Sequence, residues 1–211
     1  MSQKFVSNKN KSEKMFENRF LNALTKAHFT FPLILYIPAI FYLSFLFFRD
    51  EHGTVWYFLG LFAAGFVLWS IFEYLIHRFV FHYQPKTEFG EKVLFTFHGV
   101  HHDYPNDSFR LVMPPVVSIP LYVVMYMLFE TIFGYGNHFS IFSGFVLGYL
   151  FYDVGHYALH HFNFKNKYFQ SIKKHHLLHH YKDEHHGFGV SMPFWDKIFK
   201  TDFDEERENQ S

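Results

Sequence analysis

Cysteine is absent from the 211 residues. That excludes disulfides, thiolate metal sites and cysteine nucleophiles together, and it leaves the redox compartment open. Neither sign of charge is in excess, with 19 Lys and Arg against 19 Asp and Glu, so no nucleic-acid partner is expected on electrostatic grounds. Residues 1–26 contain no apolar run, which argues against a signal peptide there. The length allows one compact unit and hardly two. Against these shortages stand 32 Phe and 17 His. Mean hydropathy lies near zero, but the apolar residues are gathered into blocks and the polar residues into others.

Four blocks approach the ~20 mostly apolar residues that a helix needs to cross a bilayer. They run over residues 31–48, 55–75, 111–133 and 139–159. Four such blocks in so short a chain would make an implausibly greasy soluble globule. The expectation is an all-α integral membrane protein with four transmembrane helices. Residues 1–30 are expected to form a polar, mobile tail with a short helix around Phe16–Leu24. Residues 31–211 are expected to form the membrane domain.

Lysine and arginine set the orientation. Lys4, Lys9, Lys11, Lys14, Arg19 and Lys26 precede the first block, and Arg78, Lys86, Lys92 and Arg110 lie between the second and third. Lys165, Lys167, Lys173, Lys174, Lys182, Lys197, Lys200 and Arg207 follow the fourth. Only Arg49 lies between the first and second blocks, and none between the third and fourth. Both termini and the middle loop are therefore expected in the cytoplasm. Residues 76–110 and 160–211 would form a helical cap there.

The histidines fall on that same side. His77 and His82 follow the second block, and His98, His101 and His102 lie in the middle loop. His156 and His160 end the fourth block, and His176, His179 and His180 follow it. His156 and His160, four apart, share a helix face and can grip one metal. His98-Gly-Val-His101-His102 and His176-Leu-Leu-His179-His180 repeat one pattern, and each triplet shares a face if helical. His77 and His82 are five apart, which an ideal helix splays by roughly 140°. They require a helix end or a distortion between them, or they serve different metals.

Ten imidazoles exceed one coordination sphere, so the expected count is two metal ions. Imidazole suits iron, zinc, copper and nickel. Glu-x-x-His pairs of the carboxylate di-iron bundles are missing, so the ligands would be almost wholly imidazole. A zinc hydrolase usually keeps three protein ligands and an open position; ten histidines suit redox chemistry on oxygen better. The active metal is expected to be iron, with zinc able to replace it on purification. Glu73 lies one turn before His77 and Asp153 three residues before His156, so both carboxylates are candidates to orient an imidazole. Tyr152 is a weaker candidate, since aromatic residues abound here. His28, His52, His138, His185 and His186 read as ordinary histidines. His161 and His175 adjoin motif histidines and are undecided.

At these positions the chain resembles the fatty acid hydroxylase superfamily, most closely its fatty acid 2-hydroxylase branch. The matching stretches are Glu73-Tyr-Leu-Ile-His77-Arg-Phe-Val-Phe-His82, His98-Gly-Val-His101-His102-Asp-Tyr-Pro and Arg110-Leu-Val-Met-Pro-Pro115. They continue in Tyr152-Asp-Val-Gly-His156-Tyr-Ala-Leu-His160, Lys174-His-His-Leu-Leu-His179-His180-Tyr and Gly187-Phe-Gly-Val-Ser-Met-Pro-Phe-Trp195-Asp196. The match covers roughly residues 55–201.

The resemblance implies a four-helix membrane domain under a cytoplasmic cap, with the ten histidines as ligands of two metals. It implies hydroxylation at carbon 2 of a long acyl chain, free or in ceramide, with O2 and two electrons. The N-terminal cytochrome b5-type domain of many eukaryotic members is missing, since no His-Pro-Gly-Gly haem motif occurs. Electrons are then expected from a separate cytochrome b5-like or ferredoxin-like protein, and a bacterial inner membrane is preferred to the endoplasmic reticulum. The expected partners are the lipid bilayer, a lipid acyl substrate and that donor. A sterol or carotenoid hydroxylase or desaturase, and a metal-binding or metal-transport membrane protein, stay open as alternatives.

Overall fold

A computed structural model describes residues 6–203, whose regular elements are all helices, with no strand among them. Lys4 and Arg207, two of the residues behind the expected orientation, lie outside the described range. Four long helices form the body: α2 (Thr30–Arg49), α3 (Val55–Ile76), α6 (Pro115–Phe133) and α7 (Asn137–His161). Shorter helices gather at one end: α1 (Arg19–Leu24), α4 (Glu88–Leu94), α5 (Val100–Asp103), α8 (Lys167–Tyr181) and α9 (Phe194–Ile198). Starts are set by side-chain caps that satisfy free N–H groups. Asn18, Thr54, Thr87 and Asn166 cap α1, α3, α4 and α8.

Among the described residues, three segments are long and apolar enough to cross a membrane: Thr30–Arg49, Val55–Phe81 and Pro115–Phe133. Their large apolar side chains face outward, among them Ile34, Phe41 and Phe45 on α2 and Val124, Met127 and Ile132 on α6. The fourth expected span exists as a helix but falls short in apolarity. α7 is the central helix, with 16 of its 25 residues buried. A helix enclosed by its neighbours need not present an apolar surface, so α7 carries Ser140, Ser143, Asp153, His156 and His160 inside the protein. The third block also begins later than expected, at Pro115 instead of Leu111. Pro114 is held extended by the proline that follows it, and Pro115 takes the first helical position, where a missing N–H costs nothing. Leu111 and Val112 are instead buried in the approach to the helix.

Residues 6–12 do not trail freely. Val6 and Ser7 donate backbone N–H bonds to the Asp103 carbonyl, Asn10 accepts from the Ser108 backbone N–H, and Ser12 donates to Asp107. The segment is strapped across the loop after α5. The short helix expected near Phe16–Leu24 is present as α1.

α3 and α7 approach through glycine. A Cβ at Gly65 would meet the Ile141 carbonyl, and one at Gly144 would meet the Phe62 carbonyl. Small residues let helix backbones close in this way, and Ser140 seals the contact by donating to the Phe58 carbonyl at 2.7 Å. Gly144→Ala should therefore force the helices apart, a strain of about 3 kcal/mol. Gly60→Ala, on the same α3 but with nothing near its Cβ, should stabilise by about 0.5–1 kcal/mol through backbone entropy. Thermal unfolding of both variants in detergent should shift in opposite directions.

Candidate metal centre

All ten motif histidines meet where the bundle joins the cap. His77, His82, His98, His102 and His179 form one group, and His101, His156, His160, His176 and His180 the other. Within each group one ring nitrogen per residue lies within 4.8 Å of the rest. The five-residue spacing is resolved by a π turn over His77–Phe81, in which the His82 N–H reaches the His77 carbonyl at 3.2 Å. The i→i+5 bond widens the turn and returns His82 to the side of His77. A second π turn over Phe95–Gly99 carries His98.

The triplets are divided in a way their spacing did not reveal. In each, the i,i+4 pair enters one group and the intervening residue enters the other. His98 and His102 join the first group and His101 the second; His176 and His180 join the second and His179 the first. The groups adjoin, with the His102 and His180 rings 4.3 Å apart between centroids.

The donor set fits a cation. Nε2–Nε2 separations run from 2.9 to 3.3 Å. Two nitrogens each about 2.0–2.1 Å from one ion, at right to tetrahedral angles, lie about 2.8–3.4 Å apart. Hydrogen bonding alone does not account for five such nitrogens, because a neutral imidazole has one N–H and one lone pair. Desolvation, reinforced by the surrounding imidazoles, holds His98, His101, His102, His176, His179 and His180 well below the usual histidine pKa. The same burial pushes His82 down to about 2. These rings are neutral, the state a metal ligand requires.

Orientation comes chiefly from main-chain carbonyls. His77 Nδ1 donates to Phe188 O at 2.6 Å and His179 Nδ1 to His186 O at 2.7 Å. Each bond fixes the tautomer and turns Nε2 inward. His156 bonds the Leu111 carbonyl. Of the expected orienting residues, none bonds an imidazole directly. Asp153 accepts from the Met113 N–H at 3.1 Å and from the Tyr149 hydroxyl at 3.0 Å. It thus anchors the segment whose Leu111 carbonyl meets His156. Glu73 accepts from the Ser191 N–H at 2.7 Å. Tyr152 lays its ring near-parallel to His156, centroids 5.8 Å apart. The seven other histidines stay outside both groups. Among them, His175 bonds Asp196, and His138 sits between the Tyr126 hydroxyl and the Gly134 carbonyl.

Sequence reasoning gave no role to Asp196. This fully buried carboxylate accepts from the Phe188 and Gly189 N–H groups and the Thr201 hydroxyl, all at 2.8 Å, and from His175 Nε2 at 3.1 Å. It closes the 187–201 loop that presents Phe188 O to His77, with Gly187 at φ 74° making the entry turn. The sole sequence signal was an acidic residue inside an otherwise apolar Gly-rich stretch.

Residues 62–201 match the fatty acid hydroxylase family model. The chain is 35% identical over 208 residues to the fatty acid 2-hydroxylase of Homo sapiens, with 89% of this chain and 56% of the relative covered. It is 33% identical over 189 residues to the dihydroceramide fatty acyl 2-hydroxylase FAH2 of Arabidopsis thaliana, covering 89% and 79%. It is 35% identical over 198 residues to the ceramide very long chain fatty acid hydroxylase scs7 of Schizosaccharomyces pombe, covering 90% and 55%. The chain thus spans little more than half the length of the human and yeast relatives. A solved structure of scs7p, with only the hydroxylase domain visible, superposes with TM-score 0.83 at 33% identity, covering 90% of this chain and 71% of that one. These relatives are eukaryotic, which removes the support for a bacterial inner membrane. The missing haem motif was a poor guide to source, since FAH2 is itself little longer than the region matched.

Asp196→Ala would strand several buried donors at about 1–3 kcal/mol each. Thermal stability in detergent should fall by roughly 3 kcal/mol or more, whereas Asp202→Ala, on the partly exposed side of His175, should change it by under about 1 kcal/mol.

Proposed function

Because this chain belongs to the fatty acid hydroxylase family, we propose that it is an oxidoreductase hydroxylating carbon 2 of a long acyl chain, free or amide-linked. The observation that carries this reading is the pair of five-imidazole groups at the junction of an apolar bundle and a polar cap. The substrate class follows the relatives' names, which specify fatty acyl and ceramide chains.

The first group would hold one iron ion and the second another, with zinc able to displace Fe(II) in the usual affinity order. When bound, the metals supply activation of O2 for attack on a C–H bond. One oxygen atom enters that bond and the other leaves as water, which consumes two electrons and two protons. A separate cytochrome b5-like or ferredoxin-like protein would deliver the electrons. The protein's own residues bind, orient and exclude water. Trp69, Phe72, Phe145 and Tyr149 line an apolar cavity below the histidines, where an acyl tail stays out of water. The carbonyls of Phe188, His186 and Leu111 hold imidazoles in register.

We read residues 31–211 as one membrane unit, with α7 as a fourth span shielded by its neighbours and the cap in the cytoplasm. Reporter fusions after Arg207 and within residues 51–54 should then report opposite sides of the membrane; the same side for both would exclude four spans.

Elemental analysis of folded, membrane-extracted protein should find two transition-metal ions per chain, and at most a trace would refute the reading. His156→Ala should abolish 2-hydroxylated acyl product, measured by mass spectrometry against membrane abundance, with insertion unaffected. His52→Ala, at the far end of the bundle and outside both groups, should leave product per molecule near wild type. Normal product from the His156 variant would sink the assignment.

A further inference from the structure

α8 turns Ile172, His176, His179 and His180 inward. His179 belongs to the first histidine group, and His176 and His180 belong to the second. The opposite face of α8 is therefore separated from both groups by one helix, about 10–12 Å across with its side chains. Lys167, Lys174 and Tyr181 recur every seven residues, close to two turns, and fall on that outer face. Lys167 and Lys174 are exposed, and among the described residues no ion pair engages either. A shallow concavity there is lined by Gln170, Lys173, Lys174, Leu177, Leu178 and Tyr181, among others. Lys173 is partly committed, since its Nζ donates to the Phe162 carbonyl at 2.8 Å. At the far end Asn8 accepts from the Tyr181 hydroxyl.

The charge on this segment is one-sided. Between Asp153 and Asp183 the chain has Lys165, Lys167, Lys173, Lys174 and Lys182 but no Asp or Glu, although the whole chain is balanced. Asp183 and Glu184 end the basic stretch. The other segment with ligands for both groups, residues 98–102, leads into the loop that residues 6–12 cover. The outer face of α8 is an open approach that is both basic and close to both groups.

We propose that this face docks an acidic one-electron carrier protein, with Lys167 and Lys174 as its principal charges and Leu177 and Leu178 as its apolar centre. The assignment rests on the reading that the histidine groups carry an O2-consuming hydroxylation. That reaction takes two electrons, so a carrier must arrive reduced, leave oxidised and be replaced within each turnover. Such exchange needs a small interface that forms quickly and releases. Opposite charges at the rim supply the fast encounter, and two half-buried leucines add only a modest apolar contact. Electron tunnelling falls exponentially with distance, so a carrier one helix away from both groups is well placed whichever group takes the electron. An anionic membrane surface is the competing occupant of a basic face. Ile172 shares a buried cluster with Leu159 of α7, so the inner face of α8 meets the bundle and the lysine face points away from it.

The test uses the full chain in phosphatidylcholine nanodiscs and, as probe, a dye-labelled acidic cytochrome b5-type haem domain. Binding is read by fluorescence anisotropy across roughly 0.01 to 0.5 M salt. Wild type should bind with an affinity that falls as salt rises. Lys167→Glu combined with Lys174→Glu should weaken binding about tenfold or more at low salt, at unchanged metal content and unfolding temperature. The pair Lys167→Gln and Lys174→Gln should lie between, which keeps the test sound if the reversed variant misfolds. Lys86→Glu combined with Lys92→Glu makes the same change of net charge at exposed positions beside and within α4. That control should stay within about twofold of wild type. No binding by wild type, or equal weakening by both reversed pairs, would overturn the proposal. So would loss of bound anionic lipid from the α8 variants at unchanged carrier affinity, counted by native mass spectrometry in phosphatidylserine-containing nanodiscs; that result would assign the face to the membrane. Hydroxylation is read beside binding, with the reduced carrier and separately with dithionite. The expected binding pattern with no 2-hydroxy product from either reductant would support the docking face and instead overturn the hydroxylase reading on which it rests.

Discussion

Ten neutral imidazoles have to bring their lone pairs together in two places, and the architecture at the cap end follows from that demand. Each group needs five ring nitrogens within 4.8 Å, and no single helix supplies more than two to one group. The ligand candidates therefore come from the end of α3, the π turns and α5, the end of α7 and α8. The exchange of His101 and His179 between groups stitches the middle loop to the helix after the last long segment. Neither group can assemble unless both regions are in place.

Such a convergence needs outer support, which is mostly backbone. Carbonyls of Phe188, His186 and Leu111 meet ring N–H groups, and buried carboxylates hold the chain that carries them. Asp196 organises the 187–201 loop, and Asp153 tethers the segment before α6. A carbonyl orients an imidazole without adding charge to a site already desolvated. The carboxylates thus stay one step removed and keep their own donors.

The long helices solve a different problem, holding a polar centre at the edge of an apolar body. α7 takes the interior position and bears most of the polar residues, while α2, α3 and α6 turn Phe, Leu, Ile and Val outward. Gly65 and Gly144 bring α3 and α7 close enough to fix the histidine-bearing ends of both helices relative to each other. Where α3 and α6 diverge, an apolar cavity opens, lined among others by Trp69, Phe72, Phe145 and Tyr149.

The sequence by itself determined the helical class, the apolar blocks and the ten histidines that gather at one end of the bundle. These follow from local rules: hydropathy over a helix length and spacing along a turn. It also restricted His77 and His82 to a distorted turn or to different metals. Only the tertiary structure decided between these, through the π turn, and it alone divided each triplet between two groups. Spacing defines a helix face but not which neighbours that face meets. The roles of Asp196, Phe188 and Leu111 were hidden for a related reason. Two of them act through main-chain carbonyls, which every residue possesses, and the third acts on backbone N–H groups brought near it by folding. Tertiary enclosure also explains why α7, long enough to span but less apolar than its neighbours, tolerates buried carboxyl and imidazole groups that a lipid-facing helix would not.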